Sequence, residues 1–348
     1  MGEHHSCCSV SPSSSIPFYR NFLFWILVLL GVLILGSLVF PSLQLFRFAF
    51  FNYANMMFIP VALGLVLGGI VDHYIPQEYI SKHLAGSKKR SVFYAAGLGF
   101  LMSSCNHGIV ALSMELHRKG ASGPAVLSFL LASPWANLPI TILLMSFFGW
   151  KGVLIIILAL ILSITSGLIF RILDQKGWIE SNPHTVKTEM GFSMRQDIRR
   201  RWKQRQWTKE QWSRDLKGIY QGARSLSGMV LSWVILGVIL ASLSQAFVPA
   251  HFFQKYLGAT FMGLTLTLLV SAVLEVCSEG TSPLAFEIYK QTGALGNAFA
   301  FLMGGVITDY TEIGLIWKHL GPRTALWMIL VNLPQVILTG WILNQIFS

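Results

Sequence analysis

The chain has 348 residues, of which 53% are hydrophobic and only 12% charged, and its formal net charge is +11. With a mean hydropathy of +0.59, this composition excludes an ordinary soluble enzyme. The charge does not indicate nucleic-acid binding, because thirteen of the 26 Lys and Arg residues lie between Arg171 and Arg224. Such a concentration is typical of a cytoplasmic loop that rests on anionic headgroups.

The first 17 residues are polar and rich in serine, and they predict a tail. The tail carries His4, His5, Cys7 and Cys8. Imidazole and thiolate suit soft metals such as copper(I), zinc or mercury, so these residues are a candidate site for capturing a metal ion. The alternative is an incidental tail.

Apolar runs of roughly 20 residues, the length that crosses a bilayer, recur along the chain. They lie at Phe22–Phe40, Phe51–Val71, Val153–Leu173, Met229–Val248 and Leu326–Phe347. We therefore predict an all-α polytopic membrane protein with about nine transmembrane segments. The predicted order is the tail (1–17), an extra transmembrane helix (18–46), a first membrane repeat (47–173), a basic cytoplasmic loop (174–225) and a second membrane repeat (226–348).

The repeat is predicted from residues that recur at one offset, that of Cys105 and Cys277 (277 − 105 = 172). The other matching pairs include Gly108 and Gly280, Glu115 and Glu287, Phe129 and Phe301, and Gly149 and Gly321. In the first repeat, segments 91–119 and 121–149 are long enough to span but carry helix-breaking residues at their centres. Two geometries fit: crossing helices unwound at the midplane, or re-entrant hairpins whose tips meet there.

Either geometry predicts an even number of crossings in each repeat. We therefore expect two parallel repeats, related by an axis along the membrane normal, with the C-terminus on the same side as the basic loop. In this arrangement Cys105 and Cys277 would face a shared polar cavity near the midplane.

The residues around the predicted breaks are the candidate functional residues, because ionisable groups at membrane depth are costly to bury. We expect the substrate to contact Cys105, Asn106, His107, Asn137, Cys277, Ser278, Glu279 and Asp309. Glu275, Glu279 and Asp309 are expected to carry protons or bind cations. The alternatives are close helix packing for the cysteines and, for Glu275 or Glu312, an ion pair with a Lys or Arg or a position near an interface. We interpret Glu115 and Glu287 as charges at helix ends.

The first repeat contains a sequence pattern that resembles a known family. The pattern runs from Ser104-Cys105 through Arg118-Lys119-Gly120-Ala121-Ser122 to Phe129-Leu130-Leu131-Ala132-Ser133-Pro134 and Asn137. It is similar to the predicted-permease family that includes organoarsenical and metal-resistance efflux permeases. The resemblance implies an inner-membrane permease that exports a thiophilic metal, metalloid or organic derivative. The family's fuller Cys-Ser-Cys motif is reduced here to Cys105 and Cys277, and the added acids of the second half suggest proton or cation coupling.

Two other classes of function compete with transport. An intramembrane enzyme is disfavoured, because the chain has no His-Glu-x-x-His and no Gly-x-Ser-x-Gly motif. A membrane scaffold would recruit partners through its basic loop. The chain also lacks a Walker A motif, so the energy would come from an ion gradient or from a partner protein. We predict secondary transport without a cofactor. The expected partners are the bilayer and a small-molecule or metal-ion substrate, and the oligomeric state, a homo-oligomer included, stays open.

Overall fold

In the computed structural model, the described residues are 22–74, 89–101, 106–118, 120–182, 209–274 and 278–347. The helices up to the basic loop are α1 (Phe22–Val39), α2 (Gln44–Tyr74), α3 (Lys89–Leu101), α4 (Asn106–Arg118), α5 (Gly123–Ala136), α6 (Leu138–Phe148) and α7 (Trp150–Gln175). Those after it are α8 (Lys209–Phe247), α9 (Ala250–Leu257), α10 (Phe261–Leu274), α11 (Ser278–Thr292), α12 (Leu295–Thr308), α13 (Tyr310–His319) and α14 (Pro322–Phe347). We call α2–α7 the first half and α8–α14 the second half.

The helices confirm an all-α polytopic membrane protein with broken helices. By length and hydropathy, four described stretches suit a span, namely Gln44–Leu67, Gly123–Phe148, Trp150–Gln175 and Pro322–Phe347. Two bent pairs suit a broken span or a re-entrant loop: α8 with α9, at 106°, and α12 with α13, at 42°. The total of about nine transmembrane segments stays a prediction.

Two equivalent helices form the centre of the molecule. Every residue of α5 is buried, and so is the stretch from Leu295 to Ile307 in α12. Helices α3 and α7 pack against α5, while α10 and α14 pack against α12. The equivalent starting residues, Gly123 and Leu295, have the same separation as the two cysteines, and so do Trp150 and Pro322 at the starts of α7 and α14.

The helix pair α3–α4 is a re-entrant hairpin, because α3 runs parallel to α5. The Ser128 hydroxyl donates to the carbonyl of Val92 at 3.3 Å, and further along both helices Gly99 lies against Ala132. Since α3 and α5 start at the same face, α4 must return to the face from which α3 set out. The turn from α4 into α5 contains Gly120, whose φ of 94° is in the left-handed region that glycine tolerates.

The pair α10–α11 is a second hairpin of the same kind. Helix α10 runs parallel to α12, since Asn297 donates to Thr267 at 3.3 Å and Ser271 donates to the carbonyl of Phe301 at 2.7 Å. The turn from α11 into α12 contains Gly293, with a φ of 73°. Of the two geometries left open by the sequence, the α3–α4 and α10–α11 segments therefore take the re-entrant one. The α5–α6 segment instead crosses as one span, Gly123–Phe148, with a short break between the two helices.

The prediction of parallel repeats is wrong, because the equivalent helices α7 and α14 run antiparallel. The ring of Trp150, at the start of α7, lies 5.7 Å from that of Phe347, at the end of α14. Near their other ends, Ser166 donates to Asn332 at 2.5 Å. Beyond the end of α7, Trp178 stacks on Trp327 at 5.6 Å.

Helices α2 and α8 are antiparallel as well. His73, near the end of α2, lies 3.2 Å from Asp215 near the start of α8. Phe50 and Val238 line one cavity at the opposite ends of these helices.

The predicted even number of crossings fails because the two interrupted segments differ: the α3–α4 hairpin returns to its own face and adds no crossing, whereas the α5–α6 segment crosses. Helix α2, the α5–α6 span and α7 give the first half an odd number of crossings, which inverts the second half. The C-terminus therefore lies at the face opposite the basic loop, and the expectation of a shared side is wrong. We call these the C-terminal face, with Trp150 and Phe347, and the loop face, with Gln175 and Arg323.

Candidate functional site

The break between α5 and α6 lies near the centre of the Gly123–Phe148 span and is formed at Asn137. Pro139 follows it in the first turn of α6, where a missing N–H costs nothing. The side-chain oxygen of Asn137 caps α6 by accepting from the amide of Ile140 at 2.8 Å. Its Nδ2 donates to Oε1 of Glu279 at 3.4 Å. Glu279 lies in the first turn of α11 and is 5% exposed, so this contact joins a break of the first half to a hairpin tip of the second.

The equivalent break of the second half, between α12 and α13, is formed at Asp309. Its Oδ1 accepts from the amide of Glu312 at 3.3 Å, and its carbonyl accepts from the amide of Ile313 at 2.9 Å. Helix α13 packs against α4, as α6 packs against α11. The two breaks therefore contact the two hairpins in a reciprocal pattern.

Four helices begin at these breaks and tips: α4, α6, α11 and α13. The amino end of a helix has unpaired N–H groups and a partial positive charge, which favours carboxylates and anionic ligands nearby. Glu279 and Glu312 lie in the first turns of α11 and α13, where this field stabilises negative charge. The arrangement brings polar groups and helix ends together inside an apolar bundle, the usual construction of a midplane binding site.

The structure brings together only some of the predicted site residues. Among the described side chains, Asn137 and Glu279 are in contact, and Asp309 lies at the equivalent break. Asn106, His107 and Ser278 lie in the first turns of α4 and α11, and the structure describes their backbone alone. The remaining predicted residues lie outside the described residues: His4, His5, Cys7, Cys8, Cys105, Glu275 and Cys277. Within the described ranges, no group of three or more His, Cys, Asp or Glu residues is placed to hold a metal ion.

A cluster between the candidate site and the C-terminal face was missed by the sequence reasoning. Tyr53 of α2 donates its hydroxyl to Glu287 of α11, and Phe147 stacks on Phe286 with ring centroids 4.9 Å apart. Glu287 is fully buried, and its other oxygen accepts from Gln291 at 2.6 Å. The interpretation of Glu287 as a charge at a helix end is therefore wrong. Its partner Tyr53 lies 234 residues away in the chain, so no local pattern could have found it.

At the loop face, Glu180 connects the two halves by capping α14. Its carboxylate accepts from the amides of Arg323 and Thr324, each at 3.0 Å, and from the Thr324 hydroxyl at 2.8 Å. Gly321 makes this approach possible, because a Cβ at that position would lie 2.2 Å from the Glu180 side chain. Burial acts to raise the pKa of Glu180, but these hydrogen bonds outweigh burial and hold the pKa below its ordinary value.

We expect Glu180→Ala to lower the thermal midpoint of the purified protein at pH 7, by a loss of about 1 kcal/mol typical of a helix cap. A lowered folded pKa means that the stabilisation is present above the unfolded pKa and is lost as the pH falls through the folded pKa. The difference in thermal midpoint between wild type and Glu180→Ala should therefore shrink at pH values well below the ordinary glutamate pKa of about 4.3. Glu180→Gln serves as the control that keeps an acceptor without the charge. A difference that is the same at neutral and at acidic pH would contradict this assignment.

Apolar spans, two opposed hairpins and two broken helices with polar ends at membrane depth define a polytopic membrane transport protein. The chain belongs to the ArsP_1 family, described as predicted permease, whose match covers residues 45–345. The protein is thus a multi-pass membrane permease, and the family favours a transporter over an enzyme.

Three relatives illustrate the similarity. The chain is 24% identical over 290 residues to "Putative permease Rv2963" of Mycobacterium tuberculosis, covering 76% of this chain and 68% of that protein. It is 21% identical over 296 residues to "UPF0718 protein YcgR" of Bacillus subtilis, covering 81% and 91%. It is 23% identical over 256 residues to a Streptococcus mutans protein named "Putative two-component membrane permease complex subunit", covering 73% and 79%. No solved structure gives a significant match.

Proposed function

We propose that this permease is a secondary-active transporter of the inner membrane that exports a thiophilic metal, metalloid or organometalloid compound. The contact between Asn137 and Glu279 carries the proposal, because it joins a broken helix of one half to a hairpin tip of the other. A substrate held between two halves reaches opposite faces in turn when the halves rock against each other. The antiparallel α7 and α14 support this, and we propose that the two halves are an inverted repeat.

The thiophilic substrate class rests on the position of the cysteines in the chain. Cys105 directly precedes α4, and Cys277 directly precedes α11. We propose that both thiolates bind the substrate, together with Asn106, His107, Asn137, Ser278, Glu279 and Asp309. Thiolate and imidazole favour soft metals and metalloids over hard cations. Glu275, Glu279 and Asp309 would balance the charge by carrying protons or binding cations.

The remaining parts of the proposal concern the ends of the chain and its partners. His4, His5, Cys7 and Cys8 would capture metal ions before transport. One relative is named as a subunit of a two-component permease complex, so a second subunit or a second copy of this chain is the partner to look for. Because a second subunit could be present in cells and absent from the purified protein, the function is tested in both.

We expect the chain to protect a sensitised host against at least one compound in a panel of arsenicals, copper, zinc, mercury and cadmium. Cys105→Ser combined with Cys277→Ser should abolish this protection, because serine is a poor ligand for soft metals. The matched control is Cys7→Ser with Cys8→Ser, which should reduce protection only partly. Full protection by the Cys105 and Cys277 double variant would remove the thiol-ligand role, and loss only on deletion of 183–208 would favour the scaffold function.

A further inference from the structure

Glu312, which the proposed function does not use, is buried without a partner. Its side chain is 1% exposed, and neither carboxyl oxygen has a hydrogen-bond partner among the described residues. It lies in the first turn of α13, directly after the break at Asp309. Burying a carboxylate without a hydrogen-bond donor is costly, and the amino end of α13 offsets only part of that cost, so the charge must be neutralised by something other than the described side chains.

Among the described side chains, which do not include His107, the elements around α13 supply no basic group near the break. Helix α12 carries no titratable residue, and α14 carries only Arg323, at the loop face. Helix α4 has His107 in its first turn and Glu115, His117 and Arg118 towards its far end. On α13 itself, Lys318 and His319 lie in the last turn. The one acid beside Glu312 in the chain segment is Asp309, whose negative charge makes a second one more costly.

The other fully buried glutamate shows what a structural carboxylate looks like in this protein. Glu287 accepts hydrogen bonds from Tyr53 and Gln291, and Lys290 lies 3.9 Å from it. These donors satisfy both of its oxygens. Glu312 has no such set, although it is buried to the same degree. The lack of donors among the described side chains, and not burial, therefore distinguishes Glu312 from Glu287.

We propose that Glu312 is the coupling site of this permease, which holds a proton in the state observed here and gives it up when a cationic substrate binds beside Asp309. The proton leaves the Glu312 carboxyl as the substrate's positive charge arrives, so the net charge of the site stays constant. When the substrate departs, the carboxylate takes up a proton from the face to which the site is then open. This inference rests on the proposed function, because it names the residue that couples transport to the proton gradient.

The first test is spectroscopic and needs no substrate. Infrared spectra of the purified permease in lipid at neutral pH should show a protonated-carboxyl band that shifts in D₂O. That band should be lost in Glu312→Gln and retained in Glu287→Gln, the matched control for a buried glutamate. An unchanged spectrum for Glu312→Gln shows that Glu312 is ionised and overturns the proposal. If Glu312→Gln fails to fold, Glu312→Asp replaces it and should shift the band.

The second test is flux through proteoliposomes across an imposed pH gradient, with the most protective compound of the panel as substrate. Glu312→Gln should make the flux at least about tenfold less responsive to the gradient, while substrate still binds. A structural role would change the amount of folded protein and leave the dependence on the gradient intact, which overturns the proposal. If wild type moves no compound, the proposed function fails, and the infrared result still decides whether Glu312 holds a proton.

Discussion

Asp309→Asn is expected to reduce proton-driven flux to the background of empty liposomes. Asparagine is as good a helix cap as aspartate, and Asn137 fills this role at the equivalent break. The substitution therefore keeps a cap for α13 and removes the negative charge next to Glu312. Without that charge, a cationic substrate has no counter-ion at Asp309 and binds less. Its positive charge is then not present to favour release of the proton from Glu312.

The measurement is flux in proteoliposomes with and without an imposed pH gradient, together with the thermal midpoint of each variant. We expect the midpoint of Asp309→Asn to stay close to that of wild type, which separates a transport defect from a folding defect. Asn137→Asp is the reciprocal variant, and it places a second carboxylate against Glu279. If wild-type flux ignores the gradient and Asp309→Asn transports normally, the carboxylate is structural and proton coupling at this break is wrong.

Gly296→Ala is expected to cause a large loss of folded protein, because Gly296 has the tightest contact among the described glycines. At the start of α12, a Cβ on Gly296 would lie 1.7 Å from the carbonyl oxygen of Gly340 and 2.6 Å from Asn344. The first obstacle is backbone, so relief requires α12 and α14 to move apart. Overpacking of this kind costs about 1–3 kcal/mol or more, and here it also stretches the hydrogen bond from the Gly296 amide to Asn344, now 2.8 Å.

Gly97→Ala is the matched control, because a Cβ at Gly97 meets nothing within 4 Å. It should leave the thermal midpoint unchanged or raise it slightly, since alanine favours a helix more than glycine does. The comparison uses the monodisperse fraction after detergent extraction and the thermal midpoint of that fraction. Equal behaviour of the two variants would mean that α12 and α14 are not in close contact in the membrane.

The sequence alone was sufficient for the helix breaks, because their chemistry is local. Asn137 can cap the helix that follows it, and Pro139 suits the first turn of that helix, so the break follows from neighbouring residues. Proline alone does not end a helix here, because Pro134 lies inside α5. The offset between the cysteines, 172 residues, also separates the starts of α5 and α12 at Gly123 and Leu295. The predicted family was confirmed by a match that covers residues 45–345.

The direction of the hairpins could not be predicted, because it depends on contacts between distant residues. The parallel packing of α3 and α5 is visible only in pairs such as Val92 and Ser128. A basic turn such as Arg118-Lys119 fits a hairpin and a crossing equally well. Similarly, only the fold gives Glu287 a tyrosine donor and leaves Glu312 without a donor among the described side chains.

The stacked rings near the C-terminal face have a consequence for the resting state of the permease. The positions equivalent to Phe147 and Phe286 are His319 and Met114, near the loop face. Wetting the aromatic end means separating stacked rings and exposing the carboxylate of Glu287, whereas an imidazole hydrates readily. The two ends of the proposed inverted repeat therefore differ in the free energy needed to hydrate them. We expect the unloaded protein to rest with its site accessible from the side of the basic loop.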